Sequence, residues 1–177
     1  MHPKGGCRFS RHGTYPRVTP RGTLIARWYC PDAHCTFSLL PDCLAARMPG
    51  TLVELEQAVS VAEQAPSQES VCDRLRPGKE LQGALRWLRR RLNALNSCLI
   101  TLKGLMPKSL VGCEPTLAAF SAHLRVSPVL PKLREIAAAH LHHLPAPIEF
   151  SPRCSRSGGA NSPNQHKTGT DPPSPSR

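Results

Sequence analysis

From residue 81 to residue 102 leucine recurs at alternating steps of four and three: Leu81, Leu85, Leu88, Leu92, Leu95, Leu99 and Leu102. These side chains line up only if the backbone turns once in about 3.6 residues, so the spacing predicts one long helix over residues 79–105 with a continuous apolar stripe. Such a stripe has to be covered. Two coverings stay open: the helix packs as one member of a bundle within the chain, or its far half pairs with a second copy as a short coiled coil.

Local signals divide the chain around that helix. Thr51-x-x-Glu54 after Gly50 has the form of a capping box and predicts a helix bearing Leu52, Leu55, Val59 and Ala62, stopped before Pro66. Ser67 caps a shorter helix with Val71 and Leu75, which ends at Pro77-Gly78. Beyond Met106-Pro107, a fourth helix is expected from Glu114-Pro115 with Leu117, Ala119, Phe120 and Leu124. A fifth is expected from Pro131 with Leu133, Ile136, Ala137 and Leu141, ending at Pro145. From about residue 151 Ser, Pro, Gly, Asn and Thr dominate, and a disordered tail is predicted.

The N-terminal part is of another kind. It writes one pattern twice, His2-Pro3-x-x-x-Cys7 and Cys30-Pro31-x-x-x-Cys35, with strands expected at 15–18, 23–29 and 36–39 and a turn at Pro20-Arg21-Gly22. Two Pro-started turns brought together by strands can close a tetrahedron of soft and borderline donors, so His2, Cys7, Cys30 and Cys35 are expected to bind one Zn²⁺. His12 and His34 are the reserve ligands. The plainer alternative is that Cys30 and Cys35 are ordinary buried thiols. Cys43, Cys72, Cys98, Cys113 and Cys154 stand at wide intervals, as buried or free thiols do. A module this small folds only with its metal.

Charge narrows the partners. Lys and Arg number 23 against 12 Asp and Glu, and the excess lies at +5 in residues 1–50 and +7 in 71–110, against −4 in 51–70. That concentration points to a polyanion. The long helix offers Lys79, Gln82, Arg86, Arg89 and Arg90. The ribbon offers Arg11, Arg17 and Arg27, with Arg8 and Arg21, interleaved with Phe9, Tyr15, Trp28 and Tyr29. Two short helices and a long basic one have the proportions of a helix-turn-helix, in which Arg or Gln reads base edges and Lys finds phosphate. His140, His142 and His143 lack a nearby carboxylate or thiol and read as a solvated helix end. No Gly-flanked nucleophile stands in the chain, and Asp occurs only at 32, 42, 73 and 171, so no enzyme activity and no small-molecule substrate are expected. No run is apolar enough for a signal or membrane segment, so a cytoplasmic, nucleoid-associated protein is expected.

His12-Gly13-Thr14-Tyr15-Pro16-Arg17, Arg27-Trp28-Tyr29-Cys30-Pro31, Cys35-Thr36-Phe37-Ser38-Leu39-Leu40-Pro41 and Arg86-Trp87-Leu88-Arg89-Arg90 resemble the zinc-ribbon and helix-turn-helix proteins of bacterial insertion sequences, an uncharacterised transposase-like family. The likeness covers roughly residues 1–105. It implies duplex-DNA binding, at element ends or an operator, by a protein without a catalytic domain. The family usually opens on Cys where this chain has His2. The expectation is thus an α+β, mainly α chain: a zinc ribbon over 1–41, a helix-turn-helix-like domain over 50–106, a further helical hairpin over 113–145 and a tail over 150–177. The rival reading is a protein-interaction module, docking a transposase or a second copy through the 81–102 leucine seam, or a degenerate remnant.

Overall fold

The computed structural model describes residues 8–110 and 112–150, together with the backbone of 153–154. His2, Cys7 and nearly all of the predicted tail lie outside the described residues. The fold is α+β and mainly helical, with a small antiparallel sheet before the helices. No helix among the described residues is long and apolar enough to cross a membrane.

Strands β1 (Ser10–Pro16), β2 (Leu24–Cys30) and β3 (Cys35–Leu39) form an antiparallel meander. The β1–β2 turn closes with Arg17 N–H donating to the Thr23 carbonyl at 2.9 Å, and Gly22 takes the positive φ of +81° that the turn needs. β1 starts five residues earlier than the sequence suggests. Its early part survives as a strand because a bulge between Arg11 and Thr14 admits Gly13 and restores the register. Every residue of β1 is exposed, and Ile25, Cys30 and Cys35 are the buried residues of the three strands. Tyr15 stands opposite Ile25, and Trp28 stands between Arg11 and Phe37. Two residues of the predicted tail, Arg153–Cys154 (β4), pair with Thr36 and Cys35 at the free edge of β3.

The first two predicted helices form where their caps place them. In α1 (Leu52–Gln64) the Glu54 N–H donates to Thr51 Oγ1 at 3.1 Å and the Thr51 N–H to Glu54 Oε2 at 2.7 Å, which completes the capping box. In α2 (Gln68–Leu75) the Ser70 N–H donates to Ser67 Oγ at 3.2 Å. Helix α3 (Leu81–Leu105) is the long one, and a four-residue turn of helix, α4 (Pro107–Leu110), follows it. Helix α5 (Leu117–Leu124) starts after Thr116, whose Oγ1 accepts the Ala119 N–H at 3.2 Å, rather than at Pro115. Helix α6 (Val129–Ile136) starts two residues ahead of Pro131 and gives way to a 3₁₀ turn at Ala138–His140.

One core joins most of these pieces. Leu52, Leu55 and Val59 of α1 meet Leu95, Cys98, Leu99 and Leu102 of α3, Leu117 and Phe120 of α5, and Leu130 and Leu133 of α6. The 113–145 helices therefore share a core with α1 and α3. A second, smaller cluster holds Val71 and Cys72 of α2 against Ala84 and Leu88 of α3. The leucine seam is divided between the two, with Leu92 touching both. Leu88, Leu95, Leu99 and Leu102 are at most 2% exposed, each stabilising the fold by about 2–3 kcal/mol. Most of the seam is thus covered by its own chain, whereas Leu81 at its start is exposed, as is Ile100.

The sheet is tied to the helices by one side chain. Arg17, expected on a DNA-facing surface, is turned inward: Nε donates to the Thr19 carbonyl at 2.8 Å, while Nη2 reaches the carbonyls of Ala45, Met48 and Gly50. Those carbonyls belong to the loop that leads into α1. A guanidinium satisfies several acceptors in one plane, as an ammonium cannot, so the clamp needs Arg.

Candidate nucleic-acid interface and cysteine knuckle

Helix α3 separates its chemistry by face. Gln82, Arg86, Arg89, Arg90 and Asn93 are exposed along one stripe, away from the buried leucines, and Lys79 is exposed in the turn before it. Arg89 Nε donates to Gln68 Oε1 of α2 at 3.1 Å, which fixes that arginine across the α2–α3 turn. The helix contains no Asp or Glu, and among the described residues no ion pair touches it.

Three acids of α1 are engaged at helix starts. Glu54 closes the α1 capping box. Glu56 is 7% exposed, and its carboxylate accepts the Val129 and Leu130 N–H groups at 2.7 and 2.8 Å, at the start of α6. Seven residues on, Glu63 accepts the N–H groups of Leu117 and Ala118 at 2.8 and 3.2 Å, at the start of α5. A carboxylate at a helix N-terminus meets free donors and the positive end of the dipole. Three of the four carboxylates in residues 51–70 are therefore engaged at helix starts, Glu56 buried and Glu54 and Glu63 at the surface, and α3 itself carries no acid.

Beside the stripe is a feature that the sequence reading passed over. Arg91 is 8% exposed and its guanidinium lies 4.1 Å from the Trp87 ring centroid, with Arg76 at 5.1 Å from the same ring. Arg91 Nη1 donates to the Trp87 carbonyl at 3.3 Å. Burial pushes the Arg91 guanidinium below its ordinary range, and the neighbouring Arg76 and Arg90 push it the same way, against a weaker pull from Glu54. It stays charged. Its place between Leu88 and Leu95, on the core side of the helix, was the legible signal.

In the sheet, Arg11 is exposed opposite Trp28, and Arg27 is half-buried opposite Ser38. Of the proposed zinc ligands, Cys30 and Cys35 are directly opposite one another at the base of the β2–β3 hairpin, both buried. Partners in such a register put their side chains on one face. Cys30 is a free thiol, whereas Cys35 is disulfide-bonded and has no thiolate to give until reduced. His34 Nδ1 is 3.1 Å from the Tyr29 hydroxyl, and the His12 ring lies 6.0 Å from the Tyr29 ring. Among the described residues no group of three or more His, Cys, Asp or Glu is placed to hold a metal.

Cys72, Cys98 and Cys113 are buried and poor nucleophiles, whereas Cys43 is exposed. Burial pushes Cys98 up to about 12 and raises Cys72 and Cys113, the former with help from Asp73 and Glu69. The His142 and His143 rings are 3.8 Å apart, and desolvation with the neighbouring His143 and His140 lowers His142. No known protein family, curated protein or solved structure matches the chain.

Proposed function

We propose that this chain is a non-enzymatic DNA-binding protein of the mobile-element type, which lays α3 against duplex DNA and uses α2 and the α2–α3 turn to orient it. The observation that carries this reading is the acid-free stripe of Gln82, Arg86, Arg89 and Arg90 on a helix whose opposite face is buried in the chain's own core. One helix packs and presents at once. Gln82 and Arg86, near its start, suit base edges; Lys79 and Arg89 suit phosphates. Arg11 and Arg27 of the ribbon add a second positive surface. A zinc-bound knuckle at Cys30 and Cys35 belongs to the same reading, with the reduced protein as the metal-binding form.

The experiment is a duplex-DNA mobility shift at two salt concentrations with wild type and an Arg86→Ala/Arg89→Ala variant. Wild type is expected to bind with a steep loss of affinity as salt rises, and the variant about 1–3 kcal/mol more weakly per lost contact. Equal binding by a folded variant would reject α3 as the interface.

A further inference from the structure

Between α3 and the loop that enters α1 lies a cleft of about 270 Å³ lined by Met48, Pro49, Arg86, Trp87, Arg90 and Arg91. Its outer wall is held in place. Arg17 binds the Met48 carbonyl from the sheet side, and Gly50 N–H donates to the Thr19 carbonyl at 3.2 Å, so Met48-Pro49 is tethered on both sides. The inner wall carries three guanidiniums. Arg86 and Arg90 are exposed at its mouth one helical turn apart, and Arg91, nine-tenths buried, forms its side.

A buried cation costs several kcal/mol unless a counter-charge meets it. Arg134, the other arginine buried to this degree, has Asp42 Oδ1 at 3.7 Å and donates from Nη1 to two carbonyls. Arg91 has no carboxylate within ion-pair distance among the described residues, and its hydrogen bond goes to its own helix. Stacking on Trp87 orients the guanidinium, and the pull of Glu54, which makes no ion pair with it, is weaker than the repulsion from Arg76 and Arg90. Apolar walls strengthen that repulsion by excluding water. The missing partner is an anion.

Resting on the DNA reading of α3, we infer that this cleft is a phosphate site, in which Arg90 and Arg91 together hold one backbone phosphate of the duplex that α3 approaches. A planar fork of donors matches a tetrahedral oxyanion, and Arg90 from the mouth and Arg91 from the side both line this one cleft. Water occupies about 30 Å³ per molecule in the liquid, so the cleft has room for a phosphodiester and a few ordered waters. Arg86, at the mouth, remains free to reach past the phosphate toward the groove. The same chemistry admits free inorganic phosphate.

The test uses the full chain in two arms. In the first, Trp87 emission is followed in a Trp28→Phe background, Trp28 being the other tryptophan, while sodium phosphate replaces chloride at constant ionic strength. A saturable change is expected, weakened about tenfold or more in Arg90→Ala and in Arg91→Met. Arg90 is exposed, so its variant keeps the test valid even where Arg91→Met melts early. In the second arm, duplex DNA is titrated across salt. The Arg90→Ala/Arg91→Met double variant is expected to lower the salt slope by about one unit, since both side chains serve one phosphate, where two independent contacts lower it by about two. Identical phosphate titrations of parent and Arg90→Ala overturn the site, as does a slope loss of two. If phosphate saturates the parent but duplex DNA does not bind, the cleft stands as a free-phosphate site and the DNA reading of α3 falls.

Discussion

Replacing Glu56 with alanine isolates the interaction that joins α1 to α6. Helix α6 has an unusually small demand for caps, because Pro128 before it and Pro131 within its first turn have no N–H, which leaves Val129 and Leu130 as its free donors. Both residues are 0% exposed, and both donate to Glu56. No side chain of α6 or Pro128 can replace it. Orphaning a buried N–H costs about 1–3 kcal/mol, and the dipole loses its anion as well, so Glu56→Ala is expected to cost about 3–5 kcal/mol. Glu56→Gln keeps one acceptor and is expected to cost about half as much. Glu63→Ala is the control: α5 retains its Thr116 cap at Ala119 and Ala118 is exposed to water, so the Leu117 N–H alone is orphaned and a loss of about 1–2 kcal/mol is expected. Urea unfolding followed by circular dichroism at a common slope measures all three. A Glu56→Ala variant within 1 kcal/mol of wild type, or equal losses at Glu56 and Glu63, would refute the reasoning.

Other outcomes follow from single contacts. Gly50 has φ +96°, and a Cβ there would meet Glu54 Oε2 at 2.6 Å, so Gly50→Ala strains the backbone and displaces the capping carboxylate. A loss of about 2 kcal/mol by thermal melting is expected, and an unchanged midpoint would contradict it. At pH 8, maleimide is expected to label exposed Cys43 in the native protein and to reach Cys72, Cys98 and Cys113 only after denaturation, as peptide mapping by mass spectrometry will show. The folded Cys98 thiol keeps its proton up to about 12 while the unfolded chain releases it near 9.0, so this contribution is whole below pH 9 and is lost between there and about 12. Melts that do not weaken over that interval in wild type, relative to Cys98→Ala, would oppose it. After reduction, one zinc per chain is expected, and none in a Cys30→Ser/Cys35→Ser variant; equal metal content in the two removes the ribbon reading.

Where a local rule was sufficient, the sequence alone determined the structure. Thr51 with Glu54, Ser67 and the prolines at 66 and 77 act within a few residues of themselves, so the bounds of α1 and α2 were legible before any fold was known. The leucine period likewise specified α3 as a helix and specified which face it buries, and its acid-free polar stripe was legible with it. It did not specify what covers that face. The division of the seam between α2 and the α1–α5–α6 cluster depends on how four other helices pack, which no repeat encodes. The same holds for charge. A charged side chain is ordinarily solvated, yet Glu56 and Arg91 are buried, Arg17 is half-buried, and Glu63 reaches across to α5 from the surface. Each is held by groups distant in the chain or by its burial against them: α6 donors for Glu56, α5 donors for Glu63, loop carbonyls for Arg17, and the Met48-Pro49 wall for Arg91. Helix starts were misplaced by the same cause, since α6 begins where Glu56 supplies acceptors rather than where Pro131 favours it. The bounds of α1 and α2 were settled by neighbours in sequence; the cleft and the Glu56 and Glu63 caps were settled by neighbours in space, because residues tens of positions apart meet only in the folded chain.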